Sequence, residues 1–399
     1  MERFEVQPVL GSALPEVASF LRRSHANDKD GSSVLHLPIE ESACIEQRLR
    51  WLLLDNPVET DGCAPHGYCI RDHLGVIRGL SLSFPAAFLA ADQRLIGLCS
   101  GSLFVESQAR TLGYYLVRKK LSSPGYAFFF ATTCNARSGP LWRTLGGCAV
   151  PNSETDYILP LRLDAMLPTL VSGRTSSDVA SGIARILGRC ANPMLQLFSR
   201  QSASLTAEPS QDWPKLSELF RRHRPADWIT SDRSAEFLQW RFGETSPDSP
   251  CRLYLFCDKR GNEGWFCLGD RVCGRKGQIR ASVLLDAIWP REKMSFKDIL
   301  PAIVSMAAQA DAIYFRPRPG LDYSECSRWI VSRRSAVPQA FVITAQGHAP
   351  ITTGSLDYAD CIIPYGAWMA QGFRVGVRST LSADRAAPEP DGVSLPSLS

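Results

Sequence analysis

At 399 residues the chain is long enough for two or three domains, each with a core of its own. Its 45% hydrophobic and 21% charged residues are those of an ordinary globular protein, and a net charge of +4 suits a small anionic ligand while falling short of a nucleic-acid-binding surface. No run approaches the roughly 18 apolar residues of a membrane span, and the start, MERFEVQPVL, lacks a basic segment followed by a long apolar core. The thirteen cysteines are odd in number and scattered, with no C-x-x-C pair and no histidine spacing to match, so neither a metal site nor a disulfide framework is expected. Reduced thiols inside apolar runs (Cys99, Cys134, Cys257, Cys267) fit the cytoplasm, with no membrane and no nucleic-acid partner.

In chain order, residues 4–10 read as a short strand and 14–24 as an amphipathic helix, followed by a polar loop over 27–33. Ile39, Ala43, Ile45, Leu49, Leu52 and Leu53 recur at helical spacing, which predicts a helix over 39–54 that stops at Asn56-Pro57. Residues 67–72 and 76–84 flank His73-Leu74-Gly75 as a hairpin, and 94–106 add a third strand. After a polar turn at Glu106 to Gln108 a helix is predicted over 110–121, then a very apolar strand over 126–132. A short helix over 138–145 is closed by Gly146-Gly147, and 156–161 read as a last strand of this half.

Residues 164–210 form a connector, partly helical over 177–190 and 194–198. Its apolar stripe is expected to pack on a neighbouring domain, a membrane-surface helix being the alternative. The second half repeats the order more loosely. Helices are predicted over 213–223 and 234–242, strands over 252–257, 264–268 and 279–288, then a helix over 296–309, a strand over 312–315, a helix over 323–331 and a strand over 339–344. The whole is a mixed α/β chain with helices on the faces of its sheets, divided as 1–163, 164–210 and 211–370, with a disordered tail over 371–399.

The stretch from Phe104 to Gly113 carries the chemistry. A strand that runs into a helix N-terminus leaves backbone N–H groups unpaired, with the positive end of the helix dipole behind them. Gln108, Ala109, Arg110, Thr111, Leu112 and Gly113 therefore offer a cradle for a diphosphate, the glycine permitting close approach. An ordinary strand–turn–helix with one tolerated glycine is the other reading.

Arg110-Thr111-Leu112-Gly113-Tyr114-Tyr115 resembles the acyl-CoA motif Gln/Arg-x-x-Gly-x-Gly/Ala of the GNAT (GCN5-related N-acetyltransferase) superfamily, with Tyr115 at the small-residue position. Asn135 and the segment Leu141-Trp142-Arg143-Thr144-Leu145-Gly146-Gly147 resemble the family's next motif, Trp142 standing where many members carry a tyrosine that protonates the thiolate. The motifs cover residues 1–163, while 211–346 resemble the fold in element order alone, as in tandem GNAT-like proteins.

The resemblance implies two mixed, mostly antiparallel sheets flanked by helices, and acetyl transfer from acetyl-CoA to a small-molecule amine without a metal. It implies that Phe104 and Val105 pair with the pantetheine arm along a strand splayed from the next. Asn135 would bind the pantetheine or order a water, or else cap its helix. Glu106 would serve as base through water, or else as a first-turn carboxylate that suits the helix dipole. Tyr114 would supply the acid. Arg118, Lys119 and Lys120 would reach a 3′-phosphate, or form a solvated cluster at the helix end. Tyr115 either leaves the cradle open or narrows it. In the second half Asp286, ending an apolar strand, and Arg316 are candidate acceptor-binding residues, or a cap and a loop residue. That half lacks the phosphate turn and is not expected to bind CoA. Two other functions remain open: a non-catalytic protein that keeps the fold, and an aminoacyl transferase of the cell-wall type.

Overall fold

Two β-sheets, joined by the strands they exchange, organise the chain in a computed structural model that describes residues 3–27, 42–58, 65–172, 178–199, 205–246, 251–273, 279–316, 318, 321–335 and 337–357. The expectation for 371–399 lies outside these residues. The strands are β1 (Glu5–Pro8), β2 (Gly67–Arg71), β3 (Ile77–Ala90), β4 (Gln93–Val105), β5 (Phe128–Ala131), β6 (Cys148–Ala149), β7 (Thr155–Pro160) and β8 (Leu205–Pro209). They continue with β9 (Ile229–Ser231), β10 (Cys251–Asp258), β11 (Glu263–Cys273), β12 (Ile279–Ile288), β13 (Ala312–Phe315), β14 (Val331–Arg334), β15 (Phe341–Thr344) and β16 (Leu356–Asp357). The α-helices are α1 (Leu14–Asn27), α2 (Ser42–Leu53), α3 (Gly113–Lys120), α4 (Ser138–Thr144), α5 (Leu163–Ser172), α6 (Asp178–Ser199), α7 (Trp213–His223), α8 (Ala235–Phe242) and α9 (Phe296–Met306).

The first sheet has the order β1-β2-β3-β4-β5-β15-β6, with β9 added to β3 and β16 to β9; the second has the order β14-β7-β13-β12-β11-β10-β8. Both are mostly antiparallel, as expected, and in each a long central strand turns parallel to its neighbour: β4 beside β5, and β12 beside β13. The strand that closes the first half in sequence, β7, lies in the second sheet between β13 and β14. In return β15, from the end of the second half, fills the first sheet between β5 and β6.

Local chemistry accounts for the elements. Asp72 Oδ1 accepts from the amides of Leu74 and Val76 at 2.9 Å each, closing the β2–β3 turn, where Gly75 takes a φ of +78°. The strand β3 runs on past Phe84 to Ala90. Its Pro85 falls between Leu82, where pairing with β2 ends, and Phe88, where pairing with β9 begins, so no ladder on that side needs its missing N–H. The helix expected over 323–331 is instead a single 3₁₀ turn, Tyr323–Glu325, followed by β14. The apolar residues that suggested a helix serve the core singly: Tyr323 is fully buried, its ring stacked 5.0 Å from that of Phe315. The apolar stripe on α6 does not pack as expected, for Val179, Ile183, Ile186 and Leu187 are all exposed.

The main core lies between the first sheet and α1 and α2, and it includes Phe237 and Trp240 of α8. A second core joins α9 to one face of the second sheet, and a third packs α7 and α8 on the other. Trp51 of α2 and Trp240 of α8 stack at 4.3 Å, and each indole N–H donates to the other residue's carbonyl at 3.2 Å. Among the described residues no helix is long and apolar enough to cross a membrane, and no cluster of three or more His, Cys, Asp or Glu is placed to hold a metal.

Candidate functional site

β5 lies parallel to β4 over a short stretch only. Its ladder joins Gly97, Leu98 and Cys99 to Phe128, Phe129 and Phe130, and ends there, while β4 continues to Val105. On the other side of β4 the register with β3 shifts between Leu80 and Leu82, a bulge at which Ser102 adopts a φ of +49°. A serine in the left-handed region is held by its surroundings, and such bulges re-aim a strand at barrel rims and active sites. Beyond the bulge β4 runs on to the half-buried Phe104 and Val105, past the last residue pair of its ladder with β5.

At the end of β4 the Glu106 amide donates to the Arg78 carbonyl at 2.9 Å, and the chain bends into a 3₁₀ turn, Ser107–Leu112, that runs straight into α3. Ser107, Gln108, Arg110 and Thr111 are exposed, whereas Ala109 is buried against Ile70 and Leu116 and anchors the turn. The amide of Ala109 donates back to Glu106 and that of Gly113 to Arg110, so the amides at the start of the turn are the ones left to face outward. A Cβ on Gly113 would stand 3.4 Å from Val105 Cγ2, in contact with the side chain that ends β4. Tyr115 is 54% exposed, so its phenol lies outside the bend. Tyr114 is half-buried and meets it edge to face at 5.8 Å.

The side chains around the opening are more committed than their sequence suggests. Glu106 Oε2 accepts from Gln108 Nε2 at 2.6 Å and from Arg78 Nη1 at 3.2 Å, and Arg78 also binds Asp72 at 2.8 Å. Asn135 Oδ1 accepts from the amides of Arg137 at 2.9 Å and Ser138 at 3.1 Å, which is a capping role at α4; its amide nitrogen is the part left for another ligand. Trp142 is buried among Leu98, Val117, Tyr126 and Phe129 and belongs to the core.

Lys120 is the residue that sequence reasoning misplaced. Arg118 and Lys119 are exposed, but Lys120 is 2% exposed, and its Nζ donates to Ser81 Oγ at 2.6 Å, to Ser100 Oγ at 2.5 Å and to the Leu82 carbonyl at 3.2 Å. It bridges β3 and β4 beside the bulge. Burial pushes this amine down to about 7 against the opposing effect of Cys99 and Cys134. The signal was present: Leu116, Val117 and Lys120 share one face of α3, and that face is the buried one.

The second sheet repeats this geometry with a different filling. A register shift between Cys267 and Leu268 leaves Leu285 as the bulged residue of β12, and the parallel ladder with β13 ends at the pair Leu284 and Phe315. Arg318 then spans the gap, donating from Nη1 to the Ala287 carbonyl at 2.6 Å and from Nη2 to Asp357 at 2.6 Å. Asp286 is wholly buried and held by Arg233 at 2.5 Å and Arg318 at 3.3 Å. Arg316 is 5% exposed, within the fold rather than on a loop surface. Neither Asp286 nor Arg316 lies beside the bend at Glu106.

No protein-family profile matches the sequence, and no curated protein is similar enough to count as a relative. Solved structures do match. A conserved Enterococcus faecalis protein described as a probable N-acyltransferase superposes with a TM-score of 0.54 at 10% identity, over 87% of this chain and 73% of its own. Saccharomyces cerevisiae N-myristoyltransferase with bound myristoyl-CoA gives 0.52 at 11% identity, over 92% and 85%. A GCN5-related N-acetyltransferase from Anabaena variabilis gives 0.50 at 13% identity, over 86% and 73%. The architecture is therefore that of the GNAT fold, here in a two-sheet arrangement.

Proposed function

We propose that the protein is an acyl-CoA-dependent N-acyltransferase whose donor site lies between the parted strands β4 and β5. The observation that carries this reading is the bend from Glu106 to Gly113, which exposes Ser107, Gln108, Arg110 and Thr111 beyond the end of the β4–β5 ladder, with Tyr115 turned outward. Its leading amides, at Ser107 and Gln108, hold the diphosphate, and the backbone of Phe104 and Val105 aligns the pantetheine arm. Acetyl-CoA is the expected donor and a small-molecule amine the acceptor. The myristoyl-CoA bound in the yeast neighbour supports an acyl-CoA in general.

The reaction asks little of side chains. The neutral amine attacks the thioester carbonyl, backbone donors near the bulge stabilise the tetrahedral oxyanion, the C–S bond breaks, and the thiolate takes a proton. Glu106, paired with Arg78 and hydrogen-bonded by Gln108, acts at most through water as acceptor of the amine proton, and the Tyr114 hydroxyl is the donor to the thiolate. A second reading rests on the same facts. The paired Glu106 and the buried Trp142 suit a protein that keeps the fold and the donor site without turnover.

Acetyl-CoA at a hundredfold excess over Kd is expected to add about 2.7 kcal/mol of stability, seen as a rise in Tm. Gly113→Asp, which brings a carboxylate to the diphosphate and crowds Val105, is expected to abolish the rise; a rise that survives the substitution rejects the donor site. Thiol release with a panel of small amines then separates an enzyme from a non-catalytic binder.

A further inference from the structure

Charge is out of balance beside the parting of β12 and β13. Arg233 and Arg318 are matched there by Asp286 and Asp357, two cations against two anions in one buried network. Two further guanidiniums adjoin it. Arg291 stands over the rings of both Trp228 and Trp289, at 4.3 and 4.4 Å from their centroids, and has no hydrogen bond or ion pair among the described residues. Arg224 donates from Nη2 to the Ala91 carbonyl, and the carboxylate of Asp92, fully exposed, stands 3.8 Å away. Arg224, Arg291 and Arg318 line one small recess together with His223, Thr230 and Asp357. Arg224 Nη1, Arg318 Nε, Thr230 Oγ1 and His223 Nε2 are all buried without a hydrogen-bond partner. Thr230 is 1% exposed and the Arg318 side chain 3%, so bulk water does not satisfy them. Unmade hydrogen bonds of this kind are costly, and a cluster of them with surplus positive charge is the arrangement an anion completes.

We propose that this recess is a binding site for one carboxylate or phosphate group of a small ligand, gripped by Arg224, Arg291 and Arg318. Contact with two indole rings restrains the Arg291 guanidinium, whose N–H groups are then available for a bidentate contact. The site sits beyond the carboxyl ends of two parallel strands, the general place for ligands in such sheets. It goes beyond the acyl-donor reading and does not depend on it. The opening of the second sheet, bridged by Arg318, thus keeps a use of its own.

The test is titration of the full chain with inorganic phosphate and, separately, acetate, at ionic strength held constant with sodium chloride, followed by calorimetry and Tm. At least one anion is expected to bind saturably, with Arg291→Gln and Arg224→Gln each weakening it about tenfold or more, the value of one charge-assisted hydrogen bond. Binding of phosphate alone assigns a phosphate ester, and binding of acetate alone a carboxylate. Arg224→Gln, a second substitution on a different element, guards against a fold defect in the Arg291 variant. No saturable binding of either anion, or binding that both variants leave unchanged, overturns the site. In Gly113→Asp the response sensitive to Arg291 is expected to persist, so failure here and failure of the acyl-donor reading are separately visible.

Discussion

A lysine held by two serine hydroxyls and a carbonyl, with no carboxylate in its hydrogen-bond shell, is expensive in its charged form. Burial brings Lys120 from 10.5 to about 7. Between these values the unfolded chain holds a proton that the native state has released, so stability rises with pH across roughly 7 to 10.5 and is lost as pH falls back through that window. Lys120→Met keeps the length of the side chain and removes the charge. It is expected to raise stability at pH 7 by a few kcal/mol, less about 1 kcal/mol for each serine that loses a partner, and to flatten the slope between pH 7 and 10. Urea denaturation at a series of pH values measures both effects, and an unaltered slope refutes the assignment. Residues such as this mark the boundary of what sequence chemistry discloses. The motif around Gly113 was readable because it depends on local backbone, whereas the fates of Glu106, Asn135 and Lys120 depend on partners at Arg78, Ser138 and Ser81.

At the scale of elements, periodicity located most of the longer strands and helices, because each buries one face against a neighbour whatever that neighbour is, but it missed α5 and the short strands β6, β8, β9, β14 and β16. It did not reveal which neighbour. The strands β7 and β15 are short and apolar and each reads as the end of its own half, yet each pairs wholly within the other sheet. Pairing partners are chosen by tertiary packing, and sequence order is a weak guide once the connection is long. The exchange has a thermodynamic consequence. A fragment of residues 1–163 lacks β15, so the inner edge of β5 is bare, and it loses Phe341, a fully buried ring of the cluster that holds Trp142. Such a fragment is expected to aggregate or to unfold without cooperativity, and to regain a native near-ultraviolet spectrum when residues 205–357 are supplied in trans. A sharp, reversible transition from the fragment alone contradicts this.

For the molecule as a whole, three features tie the lobes together: the exchanged strands, the Trp51–Trp240 stack with its mutual hydrogen bonds, and the buried Arg–Asp network. The network reaches from β12, through Asp286, to Arg233 after β9 and Asp357 in β16, both strands being attached to the first sheet. Inside it burial alone raises the Asp357 carboxyl, but Arg318 and Arg233 outweigh this and hold it well below the usual carboxylate range. A depressed native value means that this contribution is complete above about pH 4 and is lost as pH falls further. Removing one partner from such a network leaves a buried charge uncompensated, which typically costs about 3–5 kcal/mol. Asp286→Asn strips a carboxylate from Arg233 and Arg318 while keeping the shape of the side chain, and both lobes are expected to lose stability together. The measurement is urea unfolding followed by the difference in tryptophan fluorescence between chains with and without Trp51→Phe, which isolates one indole of the Trp51–Trp240 contact from the nine in the sequence, and by far-ultraviolet circular dichroism, which reports both sheets. Coincident curves that shift by this amount support one cooperative unit. Curves that separate, with the fluorescence transition unmoved, show instead that the network stabilises the second sheet alone and that the lobes melt independently.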